Sequence, residues 1–284
     1  MPEEYRRRRE GRMEQSPAHH PNKNRPKPVK KKNPMAKHKR RKIIEWVIIL
    51  IALAVFVYSA IQVIGIMGQY SAAREEYTEL GQLAPTPAVG QSQKDRAVDH
   101  ASLQAKNSDY VGWISIPKTV VDYPVVQGED NQYYVTHTYE NSSNSAGAIF
   151  VDYRNRGDFT DRNTVLYGHN MDNGSMFAAL ADYYKDKEFF LEHPVFYLYT
   201  PTMAYEVEVF SAYVGSAQGP HLVFDFKDDA AYLKFVESMK NKSKFKTDVT
   251  VTANDRMVTL STCTYDYDDA RAIVHGVLRP IKEQ

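Results

Sequence analysis

The sequence predicts a mainly β domain with added helices, preceded by one transmembrane helix. Eight short segments rich in β-branched and aromatic residues follow one another after residue 110, with turn residues between them. An uncharged run of 22 residues, Trp46–Met67, comes before them and is long enough to cross a bilayer. The hydrophobic fraction of 43% and the charged fraction of 25% exclude a wholly disordered chain and a polytopic membrane protein.

The first 42 residues form a basic arm. They contain 16 Lys and Arg against 4 Asp and Glu, a net charge of +12, whereas the rest of the chain contains 20 against 31, a net charge of −11. A segment this rich in Pro, Lys and Asn cannot bury a core, so the arm is predicted to be disordered. Basic runs also bind nucleic acid, but directly before a membrane span we expect residues 1–42 to contact anionic lipid headgroups instead.

The apolar run, with its flanks at residues 43–68, is interpreted as an uncleaved signal anchor. As a helix, its residues span about 33 Å, close to the roughly 30 Å of a hydrocarbon core. The alternatives are a cleaved signal peptide, whose apolar region is shorter, and a core helix, which is seldom apolar on every face. Five basic residues between Lys37 and Lys42 precede the run and no basic cluster follows it. This bias predicts a cytoplasmic N-terminus and an extracellular C-terminal domain, in a single-pass protein of the cell membrane.

Residues 69–100 are interpreted as a linker between the anchor and the outer domain. The stretch at 71–83 favours a short helix, and the Pro, Gly and Ser residues that follow it are typical of a loop. The globular domain is expected to cover residues 101–284.

Eight strands are predicted within this domain. They cover residues 111–116, 120–126, 148–153, 164–169, 195–200, 204–214, 256–263 and 271–280. This number of strands predicts a closed barrel or a sandwich. Helices are predicted at 175–185, 186–193 and 228–242. The last of these places Tyr232, Phe235 and Met239 on one face, which indicates packing against the domain.

Cys263 is the only cysteine, which excludes an intramolecular disulfide and a cysteine-cluster metal site. No His, Asp or Glu cluster shows metal-ligand spacing, and there is no glycine-rich phosphate loop, so no metal or cofactor is predicted. A buried cysteine can act as a small hydrophobe, which is the alternative to a reactive role. However, the predicted strand ends at Cys263 and a polar loop follows, which indicates that the thiol lies beside solvent.

Arg271 begins the last predicted strand. If the last two strands pair as a hairpin, Cys263 and Arg271 lie opposite each other on the same face. A guanidinium near a thiol favours the thiolate and can stabilise a developing oxyanion. The acidic residues of the intervening loop act in the opposite direction.

A nucleophilic cysteine also needs a proton partner, which is usually histidine. His169 is the preferred residue, because it ends a predicted strand after Gly168 and a tight turn into a helix follows it. His275, four residues after Arg271, is the alternative. Three other histidines of the outer domain are expected to be plain surface residues: His137, His193 and His221.

These residues together resemble a known family. The sequences TLSTC at 259–263 and YGHNMDNGSMF at 167–177, with Arg271 eight residues after the cysteine, resemble a sortase. The segments SDYVGWISIP, VDYPVVQGEDNQYYVTH and GAIFVDYRN narrow the resemblance to class B sortases. It covers roughly residues 105–282 and implies an eight-stranded β-barrel with added helices.

The resemblance implies a cysteine transpeptidase of the Gram-positive cell surface. Such an enzyme cleaves a C-terminal sorting motif of secreted proteins, here expected to be of the Asn-Pro-x-Thr type, after Thr. It holds the acyl group as a thioester and transfers it to an amine of the peptidoglycan precursor or of a pilin lysine. Cys263 would be the nucleophile, His169 the general acid and base, and Arg271 the cation that stabilises the oxyanion or positions the peptide.

The resemblance further implies peptide contacts by Ser261 and Asn131. Thr262 and Thr264 beside them are also candidate contacts, although Thr264 stands where some relatives carry an acidic residue.

Two other functions are compatible with the residues alone. One is a membrane-tethered β domain that only binds a partner, for which a surface drawn from 20 tyrosines would be suited. In that case Cys263 would be dispensable. The other is a plain cysteine peptidase, which would hydrolyse its substrate even when amines are plentiful.

Overall fold

The computed structural model describes residues 34–88 and 90–281, with side chains from residue 39 onward. Most of the basic arm, residues 1–33, lies outside the described residues. Residues 34–42 were expected to be disordered but form the first turns of helix α1 (Pro34–Gly81). Within the described part of the chain, α1 is the one helix long and apolar enough to cross a membrane, and its most apolar window has no side chain buried inside the protein.

The chain divides into two compact units, the first ending at Ser59 and the second beginning at Ala60. The second unit contains eight strands that close into a barrel in the order β1-β2-β3-β4-β7-β8-β6-β5. The strands are β1 (Tyr110–Ser115), β2 (Asp122–Val126), β3 (Ile149–Val151), β4 (Asn163–Tyr167), β5 (Val195–Tyr199), β6 (Ala204–Ser216), β7 (Met257–Cys263) and β8 (Ala270–Pro280). The eight predicted strands and the barrel are therefore confirmed.

Strand pairing explains how the barrel brings distant segments together. The pairs β2–β3 and β4–β7 are parallel, and the other neighbouring pairs are antiparallel. Along β7, Val258 and Leu260 point into the main core. Met257 belongs to a separate apolar cluster, which packs under the helix at residues 229–242. This alternation follows from the two-residue period of a strand. The parallel pair β4–β7 aligns the ends of two strands on one rim of the barrel.

Four shorter helices accompany the barrel: α2 (His100–Lys106), α3 (Asp182–Lys185), α4 (Lys187–Glu192) and α5 (Asp229–Lys242). Helix α5 buries Tyr232, Val236 and Met239, with Phe235 partly buried beside them, so its predicted packing role is confirmed. Helix α2 was not predicted.

The helix predicted at 175–185 begins later, as a 3₁₀ turn at Ala178–Ala181 that leads into α3. Met176 has a left-handed φ of 58°, and the backbone N–H of Phe177 donates to the carbonyl of His169 at 2.8 Å. These features form a tight loop after β4 and delay the helix.

The segment at residues 69–100, interpreted as a linker, packs against the barrel over much of its length. The Tyr77 hydroxyl donates to the carbonyl of Gly147 at 2.6 Å, and Leu80 and Ala84 are buried in the same apolar cluster as Trp113. The fully buried Arg96 side chain pairs with Asp122. The sequence indicated a loop because its Pro and Gly residues mark turns but do not report what a turn packs against.

We expect a fragment that starts at residue 99 to be much less stable than one that starts at residue 69. The shorter fragment loses the buried Leu80 side chain and leaves Asp122 without Arg96, a combined cost on the order of 3–5 kcal/mol in the free energy of unfolding. Urea unfolding followed by tryptophan fluorescence measures the difference. Equal midpoints for the two fragments would show that residues 69–98 are a spacer after all.

Candidate active site

Cys263 is the last residue of β7, and its side chain is exposed. The antiparallel β7–β8 pair places it directly opposite Arg271. The hairpin continues one step further, where the Thr264 N–H donates to the carbonyl of Ala270 at 3.0 Å. The predicted pairing of Cys263 with Arg271 is therefore confirmed, and it brings a thiol and a guanidinium to the same face at one end of the barrel.

His169 follows β4 by two residues, at the same end of the barrel as Cys263, because β4 and β7 run parallel with Tyr167 beside Ser261. Gly168 is required before it, since a Cβ there would lie 2.4 Å from Ile149 Cδ1. His169 Nε2 lies 2.7 Å from the carbonyl oxygen of Val135. A carbonyl only accepts, so Nε2 carries a proton, and Nδ1 is the nitrogen able to take one up.

Asn170 joins the two segments that carry Cys263 and His169. Its Nδ2 donates to the backbone carbonyl of Cys263 at 3.0 Å. The loop that follows His169 is thereby held to the end of β7. This contact was not predicted, although Asn170 stands within the GHN sequence that singled out His169.

Arg271 is half-buried, and within the described part of the chain its guanidinium donates only to the carbonyl of Ala270, at 3.0 Å. Its remaining N–H groups are therefore open to a ligand. A guanidinium held at a cleft by its own backbone and not bound to a carboxylate retains its full charge for a substrate oxygen.

The side chains of Cys263, His169 and Arg271 all line one cleft of about 360 Å³. Its lining comprises Asn131, Gln132, Val135, Phe150, Arg154, Tyr167, Gly168, His169, Ala217, Gln218, Leu222, Ser261, Thr262, Cys263 and Arg271. A larger groove of about 450 Å³ lies between α1 and the β1–β2 hairpin, but its lining contains none of the three and has no thiol or imidazole. We therefore take the smaller cleft as the candidate active site, because it contains the thiol, the imidazole and the guanidinium.

Of the four candidate peptide contacts, three line this cleft. The hydroxyl groups of Ser261 and Thr262 are buried and have no hydrogen-bond partner within the described residues, so both are available to a bound peptide. Asn131 also lines the cleft, but its amide donates to Asp152 and accepts from the N–H of Tyr153, both at 3.0 Å.

Thr264 does not line the cleft. Its hydroxyl donates to Asp266 at 2.6 Å and lies 2.9 Å from the Tyr184 hydroxyl. Hydrogen bonds from Thr264 and Tyr184 lower the pKa of the Asp266 carboxyl. The Thr264 side chain thus connects the loop after Cys263 to α3, beside the His169 loop.

His275, the alternative proton partner, is fully buried and does not line the cleft. Its Nδ1 lies 2.8 Å from the Thr259 hydroxyl, which itself donates to Asn163. The hydroxyl must therefore accept from Nδ1–H, which sets the neutral tautomer of His275. Burial lowers the pKa of His275 well below its ordinary range, which keeps the ring neutral. A packing role for His275 fits this geometry.

His221 was expected on the surface but is fully buried, and among the residues that the structure describes neither of its ring nitrogens has a hydrogen-bond partner. The expectation was wrong because hydrogen bonds hold the loop after β6 against the interior. Asn163 Nδ2 donates to the carbonyls of His221 and Val223. Burial, and then the nearby charge of Arg271, lower the pKa of His221 to about 4. His193 is also buried, at 7% exposure, and was likewise expected on the surface.

The buried His221 makes the fold sensitive to acid. Between its folded pKa of about 4 and the unfolded value near 6.5, only the unfolded chain binds this proton. We therefore expect His221 to reduce the free energy of unfolding by up to about 3 kcal/mol as the pH falls from 7 to 4. Urea unfolding at several pH values, with His221→Gln compared with the parent, measures this. A Gln variant with the same pH slope as the parent would contradict the assignment.

The structure also places Asp152, Arg154 and Tyr167 at the cleft, and sequence reasoning did not identify them. Arg154 and Tyr167 line the cleft, and both bond to the buried carboxylate of Asp152. A signal was present in the DYRN sequence, where two charged residues, Asp152 and Arg154, come directly after β3. Within the described residues, no group of His, Cys, Asp and Glu side chains could hold a metal ion.

Comparison with known proteins agrees with the fold and the geometry. A family model described as "Sortase domain" matches residues 114–279. Sortase B of Listeria monocytogenes is 41% identical over 178 residues, which cover 62% of this chain and 72% of that protein.

Two solved structures show the same similarity. One is sortase B from Bacillus anthracis in complex with AAEK1, at 39% identity and a TM-score of 0.67, with 76% of this chain and all of that chain covered. The other is a Staphylococcus aureus sortase B–substrate complex, at 30% identity and a TM-score of 0.66, with 75% and 99% covered. The chain therefore belongs to the sortase family and, within it, to the class B sortases.

Proposed function

We propose that this class B sortase is a membrane-anchored cysteine transpeptidase in which Cys263, His169 and Arg271 carry the reaction. The observation that supports this is their common cleft, with the thiol opposite the guanidinium and the imidazole held on the adjoining loop. Cleavage of a peptide needs a nucleophile, a proton donor for the leaving amine and a stabiliser of the oxyanion. The three side chains supply one function each.

In the first half-reaction, the Cys263 thiolate attacks the carbonyl carbon of the Thr residue in the sorting motif. The carbonyl oxygen becomes an oxyanion beside the Arg271 guanidinium. The C–N bond then breaks, a proton from His169 goes to the leaving amine, and a thioester on Cys263 remains. The hydroxyl groups of Ser261 and Thr262, which have no partner in the described part of the chain, would hydrogen-bond the bound peptide.

In the second half-reaction, an amine attacks the thioester carbonyl and loses a proton to His169. The C–S bond breaks and the Cys263 thiolate is restored. The amine is expected to belong to a peptidoglycan precursor or to a pilin lysine, and the sorting motif to be of the Asn-Pro-x-Thr type. The relative solved as a substrate complex supports a protein or peptide substrate in this fold.

The experiment uses the detergent-solubilised full chain with a library of sorting-motif peptides and candidate amines. Mass spectrometry should detect one peptide fragment added to Cys263, and the right amine should discharge it to a ligated product. Release of the free acid alone, with every wall-type amine tried, would favour a plain peptidase. Peptide binding without an acyl-enzyme would favour a binding domain.

We further propose that α1 anchors the protein in the cell membrane, with the N-terminus inside and the barrel outside. The long apolar helix and the basic residues before it support this. Protease added to intact protoplasts should digest the barrel and spare the arm. Recovery in the medium of a mature form that starts near Ala73 would contradict an uncleaved anchor.

Arg271→Lys should lower kcat/KM for the sorting peptide about 10²- to 10³-fold, although the charge is kept. A planar guanidinium can donate two parallel hydrogen bonds to an oxyanion, and an ammonium group does not reproduce that geometry. Fluorogenic peptide cleavage measures the effect. Arg156→Lys is the matched control, because Arg156 is exposed and outside the cleft. Full activity of Arg271→Lys would remove the bidentate role.

A further inference from the structure

Asp152 is a buried carboxylate at the wall of the catalytic cleft. Five donors converge on it: the Tyr167 hydroxyl, the Asn131 amide, and the Nε, Nη2 and backbone N–H of Arg154. Burial raises the pKa of the Asp152 carboxyl, but the hydrogen bonds outweigh burial and the pKa is lowered overall. The carboxylate is therefore ionised and fully occupied by the protein.

Arg154 is held rigidly by this carboxylate. Its Nε and Nη2 donate to the two carboxylate oxygens at 2.9 and 2.8 Å, and its guanidinium lies 4.1 Å from the ring centroid of Phe224. The third nitrogen, Nη1, has no partner within the described residues, and the side chain is 42% exposed at the cleft. Two N–H groups in a fixed direction are therefore available to a ligand in the cleft.

The charge balance decides which ligand fits. The ion pair with Asp152 neutralises most of the charge of Arg154, so the free Nη1 acts as an oriented donor and much less as a cation. A neutral carbonyl oxygen suits such a donor. A carboxylate ligand would instead meet the negative charge of Asp152 at short range.

The position in the barrel indicates which part of the peptide this is. Arg154 follows β3, and β3 is separated from β7, which carries Cys263, by β4 alone. Because β3 is antiparallel to β4 and β7, Arg154 follows the end of β3 that is remote from Cys263, yet both residues line the same cleft. A peptide whose scissile carbonyl lies at Cys263 would therefore meet Arg154 at a residue away from the scissile bond.

We propose that Arg154, oriented by Asp152, binds a backbone or side-chain carbonyl of the sorting peptide away from the scissile bond, and so contributes to peptide specificity. The inference rests on the proposed transpeptidase function, because it requires a peptide in this cleft. Asn131 is then a positioning residue for Asp152, in addition to any contact of its own.

The first test compares Arg154→Met with Arg156→Met, two residues along the same loop and outside the cleft. Arg154→Met should lower kcat/KM for the sorting peptide about 10- to 100-fold, chiefly through KM, and Arg156→Met should not. The rate at which a small methanethiosulfonate reagent labels Cys263 should not change in either variant. Arg154→Lys, which keeps a positive charge beside Asp152, should lose about as much as Arg154→Met, since it lacks the planar fork.

The second test uses sorting peptides in which one amide carbonyl at a time is replaced by a methylene group, or one side-chain carbonyl is removed. In the parent enzyme, one replacement away from the scissile bond should cost about 10- to 100-fold in kcat/KM. In Arg154→Met the same replacement should cost little, because the donor is already gone. This comparison remains informative on the parent enzyme even if Arg154→Met folds poorly.

Three outcomes would overturn the inference. They are equal losses for every analogue in both enzymes, a preference of the parent for acidic side chains at that position, or a fall in Cys263 labelling that matches the loss of turnover. Failure of the proposed function is distinguishable, because the parent itself would then form no acyl-enzyme.

Discussion

Cys263→Ala should abolish both cleavage and ligation of a sorting peptide. The 284-residue chain contains no other thiol, so no other side chain can form the thioester. Mass spectrometry of the full chain incubated with peptide should detect no covalent adduct, and a fluorogenic peptide should give only the uncatalysed rate. The loss exceeds that expected for any other single change, because it removes the atom that forms the bond.

The variant should keep its fold and its ability to bind peptide. The Cys263 side chain is exposed, so its removal creates no cavity. The urea midpoint should stay within the error of the parent, and a fluorescently labelled sorting peptide should still bind. Ligation above background in Cys263→Ala would show that another group is the nucleophile. Unchanged physiological function without any catalysis would favour a binding domain.

Local patterns were sufficient to predict most of the fold. The eight strands and the hairpin of the last two strands follow from alternation and turn residues, which act over a few neighbours. The opposition of Cys263 and Arg271 was predictable for the same reason, because both flank a single turn. His169 was identified from its place at a strand end, and the parallel pairing of β4 with β7 then explains why that end meets Cys263.

The parts that sequence reasoning missed depend on contacts between distant segments. Burial of His221 arises from hydrogen bonds of Asn163, which is 58 residues away in the chain. Arg96 is buried because it pairs with Asp122 and lies over the Trp113 ring, so a segment with the composition of a linker becomes part of the domain. Local composition reports none of these partners.

The candidate peptide contacts show the same limit. Ser261, Thr262 and Thr264 lie within four positions, yet the first two reach the cleft and the third is held by Tyr184 and Asp266. The difference arises where β7 ends: beyond Cys263 the strand alternation no longer governs the direction of the side chain. Asp152 and Arg154 were missed because a charged pair after a strand is common, and only the fold shows that one of its members is buried.

His169→Ala should lower kcat/KM for the sorting peptide about 10²- to 10⁴-fold, because the leaving amine then departs without a proton donor and the acceptor amine loses its base. His169→Gln should be equally impaired. A glutamine amide can still donate to the Val135 carbonyl, as His169 Nε2 does at 2.7 Å, but it does not transfer protons at neutral pH.

His275→Ala is the crossed control. It should lower the free energy of unfolding, because the buried Thr259 hydroxyl loses the N–H group from which it accepts a hydrogen bond. The folded variant should still cleave peptide at nearly the parent rate. The His169 variants should show the reverse, with turnover lost and the urea midpoint kept. Activity that survives in His169→Ala but disappears in folded His275→Ala would transfer the acid–base role to the buried histidine, and would require the barrel to open during each turnover.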